Sequence, residues 1–347
     1  MKHPYFMPAE WEKHRGTLLG WPSNVDTWEG LLEEVGKSHS FLMARLSEVE
    51  SVYLSLKPDD DRKKIASLIS SFEGNLKRVH FLDIPNNDAW LRDSGPNYVF
   101  SKDQKEIAIN DWGYNAWGEK YPPWDEDEKL TTRFAEWIGY QKLFRPGMIL
   151  EGGSIDVNGK GILLTTKSCL LNKNRNPKLN QAEIEDRLKK YLGIQKIIWL
   201  NFNPALDLVG IAGDDTDGHV DDFARFVSED TIVCSFEENK KDENYMPLSE
   251  AYEQLCVETD LEGNLFKVVK LPMPAPKYFQ GFRIPASYAN FYFANGCILL
   301  PTFKDPMDKV AVRILSKLRP DLKIVEVPSL DFVRGLGGIH CLTQQIY

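Results

Sequence analysis

The sequence predicts an α/β protein. Apolar residues recur at helical spacing in stretches of about ten residues, and short runs rich in Val, Ile, Phe and Tyr follow each stretch. This helix-then-strand order repeats five times, about 50–70 residues apart. On periodicity alone an open, doubly wound sheet is favoured over a ring of repeats, because it too alternates helix and strand.

Leu42, Leu46 and Val49 mark an opening helix, with a strand over 52–56. In the first repeated unit Ile65, Leu68, Ile69 and Phe72 stripe a helix, and 78–84 reads as a strand halted by Pro85. In the second, Leu130, Phe134 and Ile138 precede a short strand over 141–144. In the third, Asn180 and Glu183 form a capping pair, Ile184, Leu188 and Leu192 form the stripe, and Gly193 stops the helix before a strand over 196–200. In the fourth, Leu248, Tyr252 and Leu255 precede a strand over 266–271. In the fifth, Asp305 and Pro306 open a helix lined by Met307, Ala311, Ile314 and Leu318, before a strand over 322–327. Further strands are expected over 106–110, 161–165, 231–236 and 290–300.

The chain of 347 residues carries 51 acidic and 42 basic side chains, a net charge of −9, which argues against a general nucleic-acid binder. Length alone suggests two domains of about 150 residues. With 42% hydrophobic residues it is not a disordered chain. Cys169, Cys234, Cys256, Cys297 and Cys341 form no CxxC pair, which fits free thiols in a reducing compartment rather than a zinc knuckle. The first residues lack the apolar core of a signal peptide, and no apolar run approaches the length of a membrane span. The expectation is a soluble, cytoplasmic protein.

The loop after each unit's strand collects polar residues. Segment 86–96 holds Trp90 and Asp93, 150–154 holds Glu151, and 213–222 holds Asp215, Asp217, His219 and Asp221. Segment 285–290 ends in Asn290, and 335–345 holds Cys341. If the units surround one axis, these loops meet and bring Asp93, Glu151, His219, Asp221 and Cys341 into one pocket. Carboxylates buried together need a cation, because an unpaired buried charge costs several kcal/mol. A metal is one candidate, and a guanidinium, planar and offering five donors, is the other. Beside a thiol, the electron-poor carbon of a guanidinium opens covalent catalysis. Taken singly, Cys341 reads as a small buried hydrophobe and His219 as a structural residue. Asp93 after Arg92 reads as a surface ion pair. His340 would point away from its neighbour Cys341 on a strand. The shared offset is what favours function.

The segments Met7–Trp11, Gly20–Pro22, Trp90–Pro96, Glu151–Gly153, Gly218–Asp221 and Gly337–Gln345, in that order, carry a resemblance over nearly the whole chain. The sequence resembles the agmatine deiminase family, which takes in bacterial peptidyl-arginine deiminase-like proteins of the guanidino-group-modifying pentein superfamily. The resemblance implies a five-bladed α/β propeller with pseudo-fivefold symmetry and a central active site. It implies one domain over 1–347 built from five ββαβ-like units, in place of the open sheet and the two domains.

The resemblance makes Cys341 the nucleophile and His219 the general acid and base. Glu151 orients the guanidinium and His219, and Asp93 and Asp221 bind the guanidinium nitrogens. Trp90 lies along the aliphatic tail, and Asp215 stands near a distal amine. Two residues depart from the family pattern: Asp217 replaces a usual Asn, and Gly338 stands where Asn is common. The implied reaction converts agmatine to N-carbamoylputrescine and ammonia through a covalent amidino-cysteine, within polyamine metabolism, with no metal or cofactor. The implied partner is a small cationic guanidine, with no nucleic acid or membrane; homo-oligomerisation is left open. The alternatives are deimination of free or peptidyl arginine, and a non-catalytic guanidinium or polyamine binder.

Overall fold

The computed structural model describes residues 4–140, 142–203 and 208–347. The expected strand start at Gln141 lies outside the described residues, as does Pro204, which precedes the 213–222 loop.

Five small sheets share one local pattern. The strand Ile162–Thr166 pairs in parallel with Lys196–Leu200 and antiparallel with Ile155–Val157. Thr231–Phe236 does the same between Lys267–Pro272 and Ala224–Phe226, and Cys297–Thr302 between Lys323–Pro328 and Tyr292–Ala294. Ile107–Asn110 lies between Leu143–Phe144 and Asn97–Ser101, with Tyr5–Phe6 added beyond the latter. In the fifth sheet Gly16–Gly20 pairs in parallel with Ser51–Ser55 and antiparallel with Gln344–Ile346, so the second strand meets the last one there. Val79–Leu82 extends that sheet. One open sheet, the arrangement periodicity favours, is therefore not what forms.

Each parallel pair needs a crossover, and a helix supplies it. Gln181–Leu192 is capped as expected: Asn180 and Glu183 form a capping box, and Gly193 closes the helix in the left-handed region. Its stripe, Ile184, Leu188 and Leu192, is buried. Leu32–Val49, Leu130–Ile138, Tyr245–Cys256 and Asp308–Leu318 play the same part in the other sheets. The fifth-unit helix begins at Asp308, not at 305. Asp305 instead closes a turn by accepting the Met307 N–H, and Asp308 accepts the N–H groups of Phe303 and Asp305. The strand expected over 290–300 is a hairpin, because Asn295-Gly296 reverses the chain with Gly296 at φ 82°. Among the described residues no helix is long and apolar enough to cross a membrane.

Candidate active site

In four sheets a short helical turn stands just ahead of the antiparallel strand, and these turns build the site. Leu91–Ser94 carries Asp93 ahead of Asn97–Ser101, and Glu151 precedes Gly152–Ser154 and Ile155–Val157. His219 precedes Val220–Asp222, which carries Asp221 into Ala224–Phe226. Ile339–Leu342 carries Cys341 into Gln344–Ile346. The remaining sheet offers Asn290 just ahead of Tyr292–Ala294. The shared sequence offset is thus a shared place in the sheets.

The turns converge. His219 Nδ1 lies 3.8 Å from Asp93 Oδ1 and 4.0 Å from Asp221 Oδ1. Cys341 Sγ lies 4.0 Å from Asp221 Oδ2 and 3.3 Å from Asn290 Nδ2. Glu151, Cys169 and His219 bring an oxygen, a sulfur and a ring nitrogen within 4.8 Å of one another. Gly153 permits this closeness: its N–H donates to Asp93 Oδ1 at 2.8 Å, and a Cβ there would meet His219 Nδ1 at 2.6 Å.

Buried partners fix the acids. Arg175 Nε donates to Glu151 Oε1 at 2.7 Å, and Trp117 Nε1 donates to Asp93 Oδ2 at 2.9 Å. Trp117 sits in a left-handed turn, with Ala116, Trp117 and Glu119 at φ 48°, 55° and 67°. Such backbone costs about 1–2 kcal/mol per non-glycine residue and marks functional loops. His340 corrects the strand reading. It lies on a helical turn, where neighbours are about 100° apart, and its Nδ1 reaches Asp221 Oδ2 at 2.6 Å. The Arg92–Asp93 surface pair is also corrected: both are buried, and Arg92 Nη1 donates to Gln345 Oε1 at 2.9 Å.

A cavity of about 660 Å³ opens onto Trp90, Asp93, Cys341 and Asp215. His219, Glu151 and Asp221 lie behind this wall, at 1%, 0% and 0% exposure. Trp90 leans on Trp28, with ring centroids 5.2 Å apart, and covers Gly337, where a Cβ would meet its ring at 2.4 Å. Asp215 accepts the Tyr121 hydroxyl. Asp217, in the left-handed region at φ 67°, faces Arg175 and Lys120 rather than the thiol. The second departure also has a physical reason: a Cβ on Gly338 would lie 2.3 Å from Asn290 Oδ1, so glycine makes room for Asn290.

Burial, followed by Asp221, Asp222 and Asp93, pushes the Cys341 thiol well above its ordinary value. Burial opposes a charged His219, but Asp93, Cys169 and Asp221 outweigh it and hold the ring's pKa well up. Burial also raises Asp93, which His219 moderates. For Asp221, burial is overcome by its hydrogen bond to and electrostatic attraction from His340, and its pKa is lowered. The empty site therefore holds a neutral thiol beside a protonated imidazole and an ionised Asp221.

Two groups offer ligand atoms at metal-compatible spacing, Glu151–Cys169–His219 and Asp221–Asp222–Cys341. An ion in the first would compete with Arg175 for Glu151 and with the proton on His219. An ion in the second would compete with His340 for Asp221 and with the Cys341 proton.

Sequence reasoning missed Arg175, Trp117 and the supporting role of His340. It flagged the loop of Asn290 and the segment of Glu10 without giving either residue a role. The positive-φ turn has no sequence signal beyond Gly118.

A mixed α/β fold with a thiol, an imidazole and carboxylates gathered from the ends of four of its sheets defines a class of cysteine-based guanidine-modifying proteins. Residues 6–346 match the model of the Porphyromonas-type peptidyl-arginine deiminase family, and the chain belongs to that family. A curated relative from Legionella pneumophila, provisionally named an agmatine deiminase, is 35% identical over 348 residues, covering 99% of this chain and 95% of its own. A variant agmatine deiminase from C. jejuni, solved with substrate bound, is 33% identical with a TM-score of 0.87, covering 99% of this chain and 96% of that one. The agmatine deiminase of Enterococcus faecalis is 30% identical with a TM-score of 0.88, covering 99% and 96%.

Proposed function

We propose that the protein is an agmatine deiminase, hydrolysing the guanidinium of agmatine to N-carbamoylputrescine and ammonia. The observation that carries this reading is Asp221 Oδ1, a buried carboxylate oxygen without a hydrogen-bond partner, on a carboxylate whose Oδ2 lies 4.0 Å from the Cys341 sulfur. Such an oxygen is costly to leave unmet, and a guanidinium N–H meets it. Asp93 takes the guanidinium from the other side. Trp90 lines the path of the alkyl tail, and Asp215 stands at the same cavity wall for the distal ammonium.

An arriving guanidinium offsets the carboxylate field and lowers the Cys341 pKa, so the thiol releases its proton to solvent and the substrate activates its own nucleophile. The Cys341 thiolate forms a bond to the guanidinium carbon. The C–N bond to one terminal nitrogen breaks as His219 gives that nitrogen its proton, and ammonia leaves. His219 then takes a proton from water, whose oxygen attacks the amidino carbon. The C–S bond breaks, the thiolate returns, and the carbamoyl product leaves. Glu151, fixed by Arg175, orients His219 and the guanidinium. No step draws on a metal.

The same reading makes the chain one domain of five blades about a pseudo-fivefold axis, acting in cytoplasmic polyamine metabolism. Five sheets of one local pattern support it, as does the pairing of the last strand, Gln344–Ile346, with the second, Gly16–Gly20. The test is ammonia release from agmatine, free arginine and a peptide ending in arginine. Agmatine should be turned over fastest by wild type and not at all by Cys341→Ala, which still binds it. Equal release by wild type and Cys341→Ala would falsify the enzyme reading, and preference for either arginine substrate would move the assignment.

A further inference from the structure

Lys120 lines the cavity beside Asp215, on the wall assigned above to a cationic tail. A free lysine there would repel an ammonium. It is not free: its Nζ lies 3.1 Å from Asp217 Oδ2 and donates to the backbone oxygen of Asp215. The same Asp217 oxygen accepts from Arg175 and, at 3.1 Å, from Asn174 Nδ2. Lys120, Asp217, Arg175 and Glu151 therefore form a row of alternating sign whose charges sum to zero. Lys120 follows directly on the left-handed turn through Ala116, Trp117 and Glu119. The other cations on the cavity wall are matched too. Arg334 pairs with Asp331 at 2.9 Å, and Lys57 faces Asp88 and Asp127.

We infer that the Asp217–Lys120 ion pair is a specificity device that silences Lys120, so that the cavity accepts a cationic substrate tail. The inference rests on the deiminase reading and concerns tail charge only. Asparagine at 217 tolerates the left-handed backbone and keeps an acceptor for Asn174, but it leaves the row with one net positive charge at the tail end.

The experiment compares kcat/KM for agmatine with that for pentylguanidine, in which a methyl replaces the ammonium. Asp217 also touches Arg175, so Asp217→Asn is free to slow both substrates, and the ratio isolates the tail. The agmatine-to-pentylguanidine ratio should fall on the order of tenfold in Asp217→Asn, the effect of one unscreened charge at partly buried range. It should return to the wild-type value in Asp217→Asn combined with Lys120→Met. Lys120→Met alone leaves the row with one net negative charge and should raise the ratio by a comparable factor. An unchanged ratio in Asp217→Asn overturns the inference, as does a fall that the second substitution does not reverse. If Asp217→Asn does not fold, Lys120→Met decides: a ratio that falls or does not move overturns it. Absence of turnover of both guanidines by the wild type would instead remove the deiminase reading, and this inference with it.

Discussion

His340 Nδ1 lies 2.6 Å from Asp221 Oδ2. On the far side of the ring, Nε2 lies 2.6 Å from Glu10 Oε2, so the histidine is clamped between two carboxylates. The same Asp221 oxygen lies 4.0 Å from Cys341 Sγ, and the other, Oδ1, lies 4.0 Å from His219 Nδ1, so the contact with His340 favours an ionised Asp221. His340→Leu should raise the Asp221 pKa. The low-pH limb of kcat/KM should then move to higher pH, and KM should rise roughly tenfold or more with the loss of about 1.4 kcal/mol of binding. A pH profile of kcat/KM that superimposes on wild type would count against this role.

The Cys341 thiol is raised and His219 is protonated in the empty site. Alkylation of Cys341 by iodoacetamide should therefore be slow at pH 7 and accelerate only as pH rises well past the ordinary thiol range. A small guanidine that leaves Sγ accessible should move this profile to lower pH, because it adds positive charge beside sulfur. A thiol already fully reactive at pH 7 without ligand would sink substrate activation.

Gly153→Ala should slow turnover on the order of a hundredfold while leaving the fold intact. The added methyl would stand 2.6 Å from His219 Nδ1 and 3.0 Å from Asp93 Oδ1, so one of them must move. A displacement of about 1 Å at a catalytic group costs on the order of a hundredfold in rate. The measurement is kcat alongside the thermal midpoint. Wild-type kcat would show that the close approach is incidental.

The elements most legible in the sequence are those fixed by local chemistry. Asn180, Glu183 and Gly193 announce both ends of a helix, since capping involves neighbours only. The helix Leu32–Val49 was caught only in its second half. Its first half buries Gly36, His39 and Ser40 beside Val35, too few apolar residues to make a stripe. The reactive groups were legible because each stands at one place ahead of an antiparallel strand. Arg175, Trp117 and Glu10 were not assigned, because each acts across the site: Trp117 on Asp93, and Glu10 on His340, 330 residues away. His340 departs from the strand expectation because Ile339–Leu342 is a helical turn, which turns neighbouring side chains by about 100° rather than 180°.

The unexpected burial of His39 has a consequence for acid stability. Its ring lies between Trp21 and Phe332, and neither nitrogen has a hydrogen-bond partner. Burial lowers its pKa to about 3. The unfolded chain takes up this proton near pH 6.5, whereas the folded chain refuses it until about pH 3. Stability contributed by the neutral ring is therefore complete above the unfolded pKa and is lost as pH falls through that window. At about 1.4 kcal/mol per pH unit the loss from this one group is on the order of 4 kcal/mol by pH 3. His39→Leu keeps an apolar side chain of similar reach and removes the titration. Urea denaturation at pH 8, 6 and 5 should show the variant losing stability more slowly on acidification, with the largest gap relative to wild type at the lowest pH. Parallel stability curves for the two proteins would mean that the folded chain protonates His39 as readily as the unfolded one.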